Sequence, residues 1–179
     1  MRFLGWFRRK KSPTQLTCPA KTLEELRLEL RIVVLDDDKP FYLDDLRKHG
    51  YTIDHHSDVE NLHVFQSLNF HVLLLDIGGI GAHFSAQQGW AVLEHLRDNR
   101  PDLYIILYTG NSWDVNEHFA YVQLADEQLA KTADFFSMKR KIDTGLLNFY
   151  ERDRLVSRYK YALKRNGVPD DEIASLIND

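Results

Sequence analysis

Strand-like apolar runs in this chain end repeatedly in residues suited to phosphoryl chemistry. Asp36 and Asp37 follow Ile32-Val33-Val34-Leu35, Asp76 follows Val72-Leu73-Leu74-Leu75, Thr109 follows Leu103 to Tyr108, and Lys139 follows Phe135 to Met138. Three carboxylates gathered in one place repel each other, so leaving them ionised requires a cation, and an all-oxygen donor set suits Mg2+. With part of the charge neutralised, one carboxylate can attack a phosphoryl group. The metal and a lysine would then stabilise the equatorial oxygens, and a neighbouring hydroxyl would bond the new phosphoryl oxygen.

These side chains converge only if the runs lie side by side. Ile32 to Leu35 and Val72 to Leu75 are apolar at every position, as expected of central parallel strands covered on both faces. Helical patterns alternate with the runs. Lys39 to His49 is expected as a helix capped by Asp38 and stopped by Gly50, and Ser57-x-x-Glu60 as a capping box opening a helix to about Leu68. Trp90, Leu93 and Leu96 mark a third helix after the glycine-rich segment 77–88. Asn111 opens a fourth, carrying Val115, Phe119 and Val122 and running to about Lys131. Tyr51 to His55 and Phe135 to Met138 complete the expected strands. The pattern predicts an α/β fold: a five-stranded parallel sheet with helices on both faces and ligands bound at the carboxyl ends of the strands.

In this order the pieces resemble the receiver domain of bacterial response regulators, a flavodoxin-like fold, over residues 31 to about 151. The resemblance rests on Val33-Val34-Leu35-Asp36-Asp37-Asp38, Val72-Leu73-Leu74-Leu75-Asp76, Ile105-Ile106-Leu107-Tyr108-Thr109-Gly110 and Ala133-Asp134-Phe135-Phe136-Ser137-Met138-Lys139. It implies that Asp36, Asp37, Asp76 and the Gly78 backbone bind Mg2+, and that Asp76 receives phosphate from a histidine kinase or phosphotransfer protein. It further implies that Thr109 senses the phosphate, Lys139 pairs with it and Phe136 acts as an aromatic switch. The chain departs from the pattern in three places. Arg140 follows Lys139 where proline is usual, Thr109 to Lys139 is a long separation that Lys131 would shorten, and the loop after Asp76 lacks a Met-Pro pair. Because Asp126 to Ala130 is a poor apolar run, Lys139 is preferred and the excess is read as an insertion in the fourth helix.

The chain's 179 residues give room for one core. Net charge is −4, but Arg2, Arg8, Arg9, Lys10 and Lys11 stand without an acid in the first eleven residues, leaving 18 bases against 27 acids elsewhere. An acidic body with a basic arm argues against nucleic acid as the partner. The single cysteine, Cys18, fits a reducing compartment, the eight histidines lack zinc-ligand spacing, and Gly78-Gly79-x-Gly81 lacks the Lys-Ser/Thr of a phosphate loop.

The expected organisation is a basic arm with a leading helix (1–30), a receiver-like domain (31–151) and a C-terminal helical extension (152–179), which leaves no room for a DNA-binding effector. The leading functional expectation is a stand-alone, cytoplasmic, non-enzymatic phosphoacceptor that signals to another protein, a homodimer being compatible with it. A pseudo-receiver scaffold regulated by binding alone is the alternative. A phosphatase resembling the haloacid dehalogenases is disfavoured, because no acidic pair closes a late strand. Phe3, Leu4, Trp6 and Phe7 beside Arg8 to Lys11 could adsorb at an anionic membrane, or form a disordered tail or partner-docking arm.

Overall fold

The computed structural model describes residues 21–110 and 118–178. The expectations for the basic arm, Asn111 and Val115 fall outside them.

Five strands, β1 (Arg31–Leu35), β2 (Thr52–His56), β3 (Val72–Leu75), β4 (Tyr104–Thr109) and β5 (Glu127–Ala130), form one parallel sheet in the order β2-β1-β3-β4-β5. Successive side chains of a strand point to opposite faces, and two separate cores result. Ile32, Val34, Leu74 and Ile106 pack on one side with Leu43, Leu46, Ile142 and Leu146. Val33, Leu35, Leu73, Leu75 and Leu107 pack on the other with Trp90, Leu93 and Leu96. β1 and β3 are buried on both faces apart from Arg31, as their uniform apolar character requires.

The helices are α1 (Leu23–Glu29), α2 (Leu43–Lys48), α3 (Leu62–Gln66), α4 (Gly89–Asn99), α5 (Phe119–Val122), α6 (Phe135–Asn148), α7 (Arg152–Arg165) and α8 (Asp170–Asn178). Thr22 and Glu25 form a capping box at the start of α1. α2 begins only at Leu43, and the Asp38 side chain caps nothing there; instead the Asp38 N–H donates to Asp36 Oδ1 at 3.0 Å. The Ser57/Glu60 box is likewise not used: Asn61 caps α3, accepting from the N–H groups of His63 and Val64.

The fifth strand lies earlier than the apolar pattern suggests. Phe135 to Met138 is the first turn of α6, because the Asp134 side chain accepts from the N–H groups of Phe136 and Ser137 and because Met138, Ile142 and Leu146 recur at helical spacing. The true β5 reads Glu-Gln-Leu-Ala and buries only Leu129. An edge strand paired on one side needs no continuous apolar run, so it escapes a search for one. The expected insertion in the fourth helix is therefore replaced by a short α5, a turn and β5.

The C-terminal extension is a set of separate helices and does not continue α6. The chain turns after Phe149, and the Glu151 side chain accepts from the Arg154 N–H to start α7 afresh. From α7, Arg154 and Arg158 reach back to Asp126, directly before β5, where fully buried Arg97 of α4 is already paired at 2.8 Å.

Candidate functional site

Register brings the acidic residues together. Leu35 is level with Leu75, and Leu75 with Leu107, so Asp36 and Asp76 emerge side by side at the carboxyl edge. The backbone continues the ladder there, Asp76 N–H donating to the Leu35 carbonyl and Asp36 N–H to that of His56. Carboxylate oxygens of Asp36, Asp37 and Asp76 all lie within 4.8 Å of one another. Asp36 and Asp76 are buried at 2% and 6% exposure, whereas Asp37 faces solvent.

The lysine at this cluster is Lys131, not Lys139. Lys131 follows β5 directly, and its Nζ donates to Asp36 Oδ1 and to Asp76 Oδ2, each at 2.8 Å. Its ammonium also lies 5.6 Å from the centre of the Tyr108 ring. Lys139 sits one turn into α6, where its Nζ pairs with Asp143 at 2.8 Å. Asp143 also receives Arg27 and the Tyr51 hydroxyl, so Lys139 belongs to the joint between α1 and α6. Phe136, expected as an aromatic switch, is 80% exposed on α6, and the residue three before the site lysine, the separation of Phe136 from Lys139, is the exposed and non-aromatic Gln128. With Lys131 in place, Arg140 no longer bears on the site, since Thr132 is the residue that follows the lysine.

Thr109 closes β4, paired in register with Ala130, one residue before Lys131. The backbone thus sets Thr109 beside the lysine at the same sheet edge. Gly78 lies two residues past Asp76. Its neighbour Gly79 has φ +80°, and a Cβ there would stand 2.6 Å from Asp37 Oδ2, so Asp37 occupies space that only glycine leaves open. Gly89 plays the same part behind the site, where a Cβ would meet the Asp76 carbonyl oxygen and Ile77 Cα at 2.6 Å. Neither close approach leaves a signature in the sequence beyond the glycines themselves.

Charge is unevenly balanced. Burial pushes the Asp76 carboxyl above its ordinary range, against the pull of the Lys131 hydrogen bond. Burial would lower the Lys131 ammonium, but its bonds to Asp36 and Asp76 outweigh that and hold it above its usual value. One ammonium facing three carboxylates leaves a net of two negative charges, and an all-oxygen set of that charge fits Mg2+. Near the carboxylates, Tyr42 is fully buried, its ring edge-on to that of Tyr108 at 5.7 Å, and burial, with Tyr108 beside it, pushes its hydroxyl far above its ordinary range.

At the level of sequence, no protein-family model matches the chain, and no curated protein matches it. Solved structures do. The CheY-like receiver domain protein from Methanospirillum hungatei JF-1 is 25% identical with a TM-score of 0.54, over 67% of this chain and 95% of that one. The response regulator protein TrrA from Thermotoga maritima, solved in complex with Mg2+ and BeF, is 27% identical with a TM-score of 0.50, over 64% of this chain and 97% of that one. The beryllofluoride-activated NtrC4 receiver domain dimer is 22% identical with a TM-score of 0.55, over 66% and 98%. About two thirds of this chain, a five-stranded parallel sheet with flanking helices, has the fold of the response regulator receiver domains and is similar to them.

Proposed function

We propose that the chain is a phosphoacceptor switch, taking a phosphoryl group on Asp76 and signalling through contacts with another protein. The observation that carries this reading is the single cluster formed by Asp36, Asp37, Asp76 and Lys131 at the carboxyl edge of the sheet. An Asp76 carboxylate oxygen forms the new bond to phosphorus while the bond from phosphorus to the donor's nitrogen or oxygen breaks, the electron pair leaving with the donor. Oδ1 of Asp76 is already held by the Ile77 N–H at 2.8 Å and Oδ2 by Lys131, so the carboxylate is oriented before any donor arrives. The Lys131 ammonium favours the charged form of Asp76 against the burial that raises its carboxyl, and would bond a transferred oxygen. Asp36, Asp37 and Asp76, with the Gly78 backbone, would hold Mg2+, which supplies charge neutralisation to the phosphoryl oxygens when bound. On this reading the Thr109 hydroxyl, from the end of the neighbouring strand, would bond the phosphoryl group.

The phosphodonor on this reading is a histidine kinase or phosphotransfer protein, and the output is a protein contact rather than catalysis. Among the described residues no helix is long and apolar enough to cross a membrane. The test is incubation with acetyl phosphate and Mg2+ followed by intact-mass analysis. One phosphoryl group should be added, and none to the Asp76→Asn variant. Labelling that persists in that variant, or no labelling of the wild type at any Mg2+ concentration, overturns the reading. The second outcome would favour a scaffold switched by binding alone, for which Lys131 already provides a resident cation.

A further inference from the structure

The face of α7 turned toward the sheet is charged and fully engaged. Arg154 and Arg158 hold Asp126, and Arg165 holds Glu94 and Asp98 of α4 at 2.6 Å each. The opposite face is apolar and only partly covered by α8: half-buried Leu155, Val156 and Leu163 and exposed Tyr159, with Leu176 of α8 and Arg152, line an open groove of about 400 Å³. Tyr159 and Leu176 are 45% and 60% exposed. An amphipathic helix normally buries its apolar stripe, and α7 buries this one only in part because its arginines occupy the side facing the sheet.

Charge says what covers this face. The short turn 166–169 joins α7 and α8 as a hairpin, with Arg152 at its open end, Leu163 and Glu172 near the turn, and Leu176 of α8 in the same groove. Glu172 lies one turn before Leu176 on the same row of α8. Arg152 and Glu172 are both exposed, and neither forms an ion pair with a described residue. A two-fold axis through the middle of the groove lays the Arg152 end of one hairpin over the Glu172 end of another, matching apolar to apolar and base to acid twice. A basic arm would complement only one end.

We infer that α7 and α8 form a self-complementary interface, covered by the same hairpin of a second copy of this chain in an antiparallel four-helix arrangement. The face is two helices wide and about 21 Å long, small for a permanent dimer, so association is expected in the micromolar range. The interface lies outside the phosphoacceptor cluster, and its test does not depend on phosphorylation.

Sedimentation equilibrium on the full chain, from about 1 to 200 μM, should show a reversible monomer–dimer equilibrium that weakens with salt. Leu176→Glu should leave the circular dichroism unchanged, remove any concentration dependence of the melting temperature, and abolish the dimer. Arg152→Glu and Glu172→Arg should each raise Kd about tenfold, and the two together should bring it most of the way back. Removal of residues 1–11 should leave Kd within about twofold, well below the tenfold effect of losing a charge pair. A chain that stays monomeric throughout overturns the inference. So does a dimer insensitive to Leu176→Glu, or one lost on removing residues 1–11 alone.

Discussion

At the scale of single residues, the two lysines make opposite demands on the site. Lys131 bridges two buried carboxylates, and Lys131→Ala should cost about 2 kcal/mol in urea unfolding without Mg2+. Adding Mg2+ should recover more of the loss in that variant than it adds to the wild type, because the cation replaces the missing charge. Lys139→Ala breaks a partly exposed pair with Asp143 and should cost about 0.5 kcal/mol, with no dependence on Mg2+. Asp76 gives a second check through pH. Its carboxyl is raised in the folded state, so the folded protein holds the extra proton, and stability falls as pH rises through that raised value. The Asp76→Asn variant, neutral throughout, should therefore be more stable than the wild type at neutral pH, and the gap should close on acidification toward the ordinary aspartate range. A gap that is constant with pH would contradict the burial of the charge.

At the scale of elements, Asp126 is the residue on which most depends. It sits between β4 and β5, accepts from the Ile105 N–H at 2.8 Å, and balances Arg97, Arg154 and Arg158. Burial pulls the Arg97 guanidinium down to about 10, with the Asp126 charge opposing, so Arg97 is still ionised at neutral pH and cannot tolerate the loss of its partner. Asp126→Ala should destabilise the fold by about 3–5 kcal/mol, measured by urea or thermal unfolding. The element that Asp126 introduces was also the least legible from sequence. β1 and β3 declared themselves because both faces are buried, and Asp36, Asp37 and Asp76 followed from them. β5, with Leu129 as its one buried side chain, offered no apolar run, and the richer Phe-Phe-Ser-Met stretch drew the lysine assignment eight residues too far. The spacing from Thr109 pointed to Lys131, and Asp134 could have been read as a helix cap, a role that removes the rival strand. The Gly79 and Gly89 approaches depend on tertiary geometry and could not be read at all.

At the scale of the whole molecule, the C-terminal helices are bound into the sheet they follow. Arg154 bonds the carbonyls of Asp102 and Leu103 at the entrance to β4, and Arg158 those of Gln123 and Ala125. A fragment ending at residue 150 would leave these acceptors and Asp126 without their arginines. We expect it to melt well below the full chain, by about 5 °C or more if about 2 kcal/mol is lost from a chain of this size. The same wiring bears on order in time. During synthesis β5 is made some 30 residues before Arg158, so the sheet's last strand exists before the helix that latches it. In the finished protein, native-state hydrogen exchange should then find β5 and α7 opening together as one cooperative unit, at a lower free energy than β1 and β3.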